Sequence, residues 1–345
     1  MFVPVVDQNQ QPLMPTTPNR AGSSMIANIL KPETAYVFEY PQFNALADEQ
    51  LKIFWPWNEI KVEKDKQDLL TNLTEAEYHA VVTTLKLFTK YELYVGNEYW
   101  TTRICKQFQR PEIQRMATCF ANVELNSHAP FYAKINIELG LSTKEFYEAY
   151  VNDPVLVDRM DFIQALVDDP DNLISIAGFS MVEGAVLYSS FAFLKHFQSN
   201  GKNLIPNIVR GINMSARDEN LHALAGAQIF RILLAETHPK NPPEYIEDRI
   251  LQLAQVIYEH EARIIDMLFE KGPIKGCERE DLQEFVKSRI NLCLNNLGYN
   301  SLFKVGDNPI AEWFYIGINN YMMNDFFQGV GREYRRGWDP LGFVW

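Results

Sequence analysis

Two short stretches of this 345-residue chain pair a glutamate with a histidine at helical spacing, Glu124-Leu-Asn-Ser-His128 and Glu219-Asn-Leu-His222. Two further glutamates, Glu92 and Glu183, stand alone in apolar helical runs. At about 100° per residue, positions three or four apart share one helix face, so each pair can point into one interior. Glu183 lies in Phe179-Ser-Met-Val-Glu183-Gly-Ala-Val-Leu187-Tyr188-Ser-Ser-Phe191, where a carboxylate without a partner would be costly to bury. Two Glu–His helices facing two single-Glu helices supply the ligands of a carboxylate-bridged dimetal site inside a helical bundle. Oxygen-rich ligation with one imidazole per metal suits iron or manganese, whereas structural zinc favours thiolates. Each glutamate alone reads more readily as a solvated or salt-bridged residue than as a ligand. Six such residues in helices of suitable order do not.

The surrounding pattern is helical throughout. Leu51, Phe54 and Trp55 recur at helix spacing before Pro56 interrupts them. Thr74 has the form of an N-cap, and the helix it opens runs through Val81, Leu85, Phe88, Glu92 and Val95, loosening near Gly96. Pro111 opens the next helix, which carries Met116, Phe120, Glu124, His128 and Tyr132 and stops at Leu139-Gly140. Pro130 inside it predicts a bend or bulge. Ser142 followed by Glu145 predicts a capping box. Further helices are expected over 174–197 (with Glu183), 206–236 (with Glu219 and His222), 246–270 and 281–297. No strand pattern of convincing length appears, so the fold class is all-α. Residues 1–48, rich in Pro, Asn and Gln, are expected to form an extended arm.

The net charge of −12 argues against binding a phosphate backbone, so no nucleic-acid partner is expected. The four cysteines, Cys105, Cys119, Cys277 and Cys293, lack CxxC spacing and read as buried or partly buried thiols of a reducing compartment. No charged-then-apolar leader opens the chain, and no apolar run reads as long enough to span a bilayer. A cytoplasmic chain without a membrane partner is therefore expected. His79, His196, His238 and His260 read as surface or boundary residues, and Glu98 and Glu138, in polar settings, as poorer ligands.

With these residues in view, the chain resembles the small, radical-generating subunit of class I ribonucleotide reductase. The family's Arg-Asp-Glu-x-x-His motif stands as Arg217-Asp218-Glu219-Asn-Leu-His222. Its first ligand resembles Glu92 in Phe88-Thr-Lys-Tyr-Glu92-Leu-Tyr-Val-Gly-Asn97, and its lone-Glu helix resembles the run around Glu183, Leu187 and Phe191. One departure stands out: the family's first pair is Glu-x-x-His, whereas this chain has Glu124-x-x-x-His128, which stays on one face if the helix is regular or if a π-bulge absorbs the extra position. The resemblance runs from about Glu49 to the C-terminus and implies a ferritin-like helical domain over 49–320. It also implies a flexible tail over 321–345.

The resemblance further implies site roles. The metal ligands would be Glu92, Glu124, His128, Glu183, Glu219 and His222, holding Fe/Fe or Mn/Fe. Glu92, Glu124 and His128 would form one side and the other three the second. Tyr132, four residues after His128, matches the radical tyrosine, which the family oxidises with dioxygen; one subclass has Phe there and stores the oxidising equivalent in a Mn/Fe pair. Trp55 resembles the relay tryptophan, with Trp57 as a competitor, and Asp218 its hydrogen-bonded partner. In the tail, Phe326-Phe327-Gln-Gly-Val-Gly-Arg-Glu333-Tyr334 resembles the segment whose tyrosine, here Tyr334, passes the radical to a large catalytic subunit. A homodimer is implied as well. The function so implied is that of a ribonucleoside-diphosphate reductase small subunit. Two alternatives share the ligand pattern: a ligand-binding dimetal oxidase of the same fold, and a ferritin-like iron-binding protein.

Overall fold

The computed structural model describes residues 26–315, and among them the architecture is all-α, with one isolated antiparallel bridge between Ile274 and Cys277. Ten helices matter here: α1 (Pro41–Ile53), α2 (Glu75–Tyr94), α3 (Pro111–Val123), α4 (Ala129–Glu138), α5 (Pro154–Asp168), α6 (Asn172–Ala185), α7 (Tyr188–Lys195), α8 (Pro206–Thr237), α9 (Glu244–Leu268) and α10 (Arg279–Leu297). Four helical rods form the inner bundle: α2, the combined α3–α4 rod, α6 and α8. The remaining helices pack around these rods, so that α6 and α8 are buried over most of their length.

Local chemistry sets where the rods start. Thr74 caps α2 in a capping box: Glu77 N donates to its hydroxyl (3.2 Å), and Thr74 N donates to the Glu77 carboxylate (2.9 Å). The 32-residue α8 has no side-chain cap of its own, because the residue before it, Ile205 (left-handed, φ 45°), carries no acceptor. Its free amides are taken instead by a distant segment: Ile208 N donates to Asp65 (2.6 Å) and Ile205 N to Asp68 (2.9 Å). Pro111 opens α3, as its spacing predicts.

The structure departs from the sequence expectations at several points. The helix expected near Glu49 begins at Pro41, inside the span expected as an extended arm, and the described residues before it are held to the bundle. Ile29 N and the Tyr40 hydroxyl both donate to Glu236 (2.8 and 2.5 Å), and Tyr40 N donates to buried Glu112 (3.0 Å). The cap before Lys144 is Thr143, whose hydroxyl accepts from Phe146 N, rather than Ser142. The single helix expected over 174–197 is two: Val186 is extended and Leu187 left-handed (φ 74°), so α6 ends two residues after Glu183. The stretch Asn172–Gln198 is, against expectation, apolar and long enough by length and composition to cross a membrane; its apolar window is wholly buried in the bundle, as suits a core helix.

His196 and His260 are buried, not surface or boundary residues. Burial lowers His196 to about 4, with its Nδ1 against the Phe193 carbonyl and its Nε2 facing the Lys202 ammonium at 3.0 Å. Burial, then the charges of Arg263 and Arg159, lower His260 to about 3. Both folded values lie below that of an unfolded histidine, so below about pH 6.5 the unfolded chain binds protons the folded chain refuses. Stability is therefore lost as pH falls from about 6.5 toward 4 for His196 and toward 3 for His260. Within that window each histidine costs roughly 1.4 kcal/mol for every pH unit of acidification. Thermal melts of metal-free protein between pH 7 and 4 are expected to show this slope. A His196→Gln, His260→Gln double variant should flatten it.

Candidate metal centre

Two of the four ligand-bearing rods are not regular helices. After α2 the chain widens into a π-helix over Val95–Ile104, and between α3 and α4 another π turn spans Glu124–His128. This second turn takes up the extra residue of the Glu124-x-x-x-His128 pair, so both side chains keep one face. Pro130 follows in the first turn of α4, a position that asks for no amide hydrogen.

All six glutamates and histidines converge in the bundle core, each no more than 2 % exposed. They form two overlapping sets: Glu92, Glu124, His128 and Glu219, and Glu124, Glu183, Glu219 and His222. Within each set the ligand atoms all lie within 4.8 Å of one another. Glu124 turns Oε2 toward His128 Nδ1 and Oε1 toward His222 Nδ1, both at 2.9 Å. Glu219 does the same with Oε1 (3.4 Å from His128) and Oε2 (3.5 Å from His222). Glu92 Oε2 lies 3.6 Å from His128 Nδ1. Glu124 and Glu219 thus belong to both sets, and Glu92 and Glu183 to one each.

A divalent metal pair fits this donor set. Both oxygens of Glu92, Glu124 and Glu219, one oxygen of Glu183 and Nδ1 of both histidines are buried without a hydrogen-bond partner, although some lie close together. Buried polar atoms are rarely left so, and here all of them face the space between the four rods. Burial drives Glu92 and Glu183 well above the usual carboxylate range, reinforced by the charge of Glu124 on the former and of Glu219 on the latter. Burial would raise Glu124 too, but His128 and His222 hold it below that range. For His222, burial is outweighed by Glu124 and Glu219, which lift it to about 9. Without metal the centre therefore holds protons that entering metal ions must displace.

The surrounding hydrogen bonds orient the ligands. Asp218 Oδ2 accepts from Trp55 Nε1 (2.7 Å) and faces His128 Nε2 (3.1 Å). Arg217 donates to the Ile53 carbonyl (2.7 Å), fixing the end of α1 from which Trp55 follows. Trp57 is 36 % exposed while Trp55 is 2 % exposed, so the buried indole is the one joined to the centre. Tyr132 is buried, stacks on Phe88 (4.2 Å between centroids) and donates to Ser215 Oγ (3.2 Å). Tyr334 and the segment 321–345 lie outside the described residues.

Three residues went unnoticed in the sequence. Gln50 accepts at Oε1 opposite His222 Nε2 (3.1 Å) and donates from Nε2 to Asp218 Oδ1 (3.2 Å). Trp100 donates to Glu183 Oε1 (2.7 Å) and lies edge-on to His222. Ser215 is the partner of Tyr132. Gln50 and Ser215 sit one helical turn before Phe54 and Glu219, a phase signal too weak to single them out. Trp100 lies in the π-helical segment, whose phase a regular 3.6-residue reading misplaces.

Fold and site together define a ferritin-like bundle protein with two overlapping carboxylate–histidine clusters, suited to a metal pair, in its core. More narrowly, the family model "Ribonucleotide reductase, small chain" matches residues 33–309, and the chain belongs to that family. It is 25% identical over 319 residues to the probable ribonucleoside-diphosphate reductase small subunit 048L of Invertebrate iridescent virus 3, covering 87% of this chain and 83% of that one. It is 25% identical over 341 residues to the ribonucleoside-diphosphate reductase subunit beta of Halalkalibacterium halodurans, covering 93% and 94%. Among solved structures, the dimanganese(II)-NrdF of Streptococcus sanguinis superposes with a TM-score of 0.72 at 20% identity, covering 84% of this chain and 99% of that one.

Proposed function

We propose that this chain is the cytoplasmic, homodimeric small subunit of a ribonucleoside-diphosphate reductase, in which Tyr132 is oxidised and Trp55 with Asp218 carries the oxidising equivalent outward. The observation that carries this reading is one hydrogen-bonded line: metal-facing His128, then Asp218, then Trp55. A bound redox-active pair, Fe/Fe or Mn/Fe, supplies the oxidising power drawn from dioxygen. Glu92, Glu124 and His128 would hold one metal and Glu183, Glu219 and His222 the other, with Glu124 and Glu219 shared.

The remaining work belongs to the chain's own groups. Burial raises the Tyr132 phenol well above its ordinary pKa, so it stays protonated. Losing an electron from it requires its proton to leave from Oη, the atom that Ser215 engages. Phe88 and Phe191 stack along the same side and exclude water from that oxygen. Asp218 holds the imidazole of His128 and the indole of Trp55 on one oxygen, so charge can pass between them without side-chain movement. Tyr334, in the C-terminal tail, would complete the passage to a large catalytic subunit that binds the nucleotide.

The test loads the chain with Fe(II), or with Mn(II) plus Fe(II), admits oxygen and records the EPR spectrum beside that of Tyr132→Phe. An organic radical signal present in the wild type and absent in the variant is expected, together with loss of turnover. Turnover retained in the variant assigns the oxidant to the metals. A chain that binds no metal pair and supports no large subunit overturns the reading.

A further inference from the structure

The guanidinium of Arg289, on α10, is 2 % exposed, yet among the described residues it forms no ion pair. A buried cation without a counterion is costly, so what it touches is informative. Its Nε donates to the Gly184 carbonyl (2.9 Å), one terminal nitrogen donates to Asn220 Oδ1 (3.2 Å) and the other to the Tyr315 hydroxyl (3.0 Å). The group also lies over the face of Tyr188, 4.0 Å from the ring centroid.

Each partner has a place in the centre's support. Because α6 breaks at Val186 and Leu187, the Gly184 carbonyl loses the amide that a continued helix would offer it. Arg289 takes that carbonyl, one residue beyond the ligand Glu183. Gly184 is a glycine for a reason: a Cβ there would collide with Cys293, one turn along α10 from Arg289. Asn220 sits between the ligands Glu219 and His222. Tyr188 opens α7, and its hydroxyl donates to the Ala216 carbonyl on α8 (3.0 Å), closing the loop between the two ligand rods.

The fourth partner comes from elsewhere. Tyr315 is in the helical segment 309–315, from which the C-terminal residues depart. Its neighbour Phe314 is fully buried, and the Phe314 carbonyl accepts from buried Lys195 (2.6 Å).

We propose that Arg289 is a positioning residue for the Glu183–Glu219–His222 side of the centre, and that it ties the 309–315 segment to that side. This rests on the dimetal reading above. Three fixed donors reach three elements at once, and a planar fork suits that task better than a flexible ammonium. Metal binding at Glu183 and Glu219 then stiffens the base of the tail.

The test uses the full-length chain, with Mn(II) as the probe. Metal stoichiometry and affinity are read by EPR, and hydrogen exchange at 182–187 and 310–315 is followed with and without Mn(II). In the wild type, Mn(II) is expected to slow exchange in both segments. Arg289→Gln should weaken the second Mn(II) by roughly 10–100-fold, the usual cost of losing a group that orients a ligand, and abolish the response at 310–315. Should Arg289→Gln fail to fold, Tyr315→Phe removes only the tail-side hydrogen bond and is expected to abolish the 310–315 response while two Mn(II) still bind. Variants that keep the wild-type response at 310–315 overturn the proposal. A wild type that binds no Mn(II) pair overturns the dimetal reading as well, so the two failures are told apart.

Discussion

Glu219→Gln is expected to abolish binding of the metal pair and, at the same time, to raise the thermal stability of the metal-free protein. The two effects have one origin. Glu219 belongs to both ligand sets, one oxygen toward each histidine, so an amide there spoils both positions at once. Turnover with the large subunit should fall by roughly a thousandfold or more, about 4 kcal/mol in the barrier. In the metal-free centre, by contrast, four buried carboxylates crowd one another and force Glu92 and Glu183 to hold protons. A neutral isostere relieves that crowding and offers Glu183 a donor. The metal-free melting temperature should rise by roughly 2 °C or more. Glu92→Gln is the contrast, because Glu92 belongs to one set only; one metal per chain should remain. Metal analysis and melts of both variants check this, and a Glu219→Gln protein that still binds two metals sinks the bridging assignment.

Trp55→Phe separates making the radical from exporting it. The phenyl ring keeps the packing against Phe131 and His128 (5.6 and 5.7 Å between centroids) but has no donor for Asp218. Metal loading and the Tyr132 EPR signal should survive, because neither the six ligands nor the Tyr132–Ser215 hydrogen bond is touched. Turnover with the large subunit should drop by roughly a hundredfold or more. Equal loss of the EPR signal would place Trp55 in assembly of the centre instead. Trp57→Phe, at an exposed indole without a link to Asp218, should leave both readouts near wild type.

The centre was legible because its ligands are charged residues in runs that are otherwise apolar, a contrast that survives without any alignment. Helix phase placed Glu219 and His222 on one face, and the π turn at Glu124–His128 was readable from the stretched pair together with Pro130. Phase did not reveal which carboxylates bridge. That depends on how the rods pack, which brings one oxygen of Glu124 and of Glu219 toward each histidine. The break after Ala185 escaped because Val186 and Leu187 continue the apolar run and neither is a helix breaker. Packing imposes the left-handed turn at Leu187, against local preference. Gln50 and Trp100 escaped for a related reason. Each contributes one polar atom to a partner far along the chain, and no short-range pattern reports such a contact.

Gln50 has a consequence for how the two metal positions behave. Through it the imidazole of His222 ends on one oxygen of Asp218, while the imidazole of His128 ends on the other. Both rings are therefore steered by a single carboxylate that also grips Trp55. A tilt of Asp218 would turn the two rings in concert, so whatever moves the Trp55 indole reaches both histidines at once.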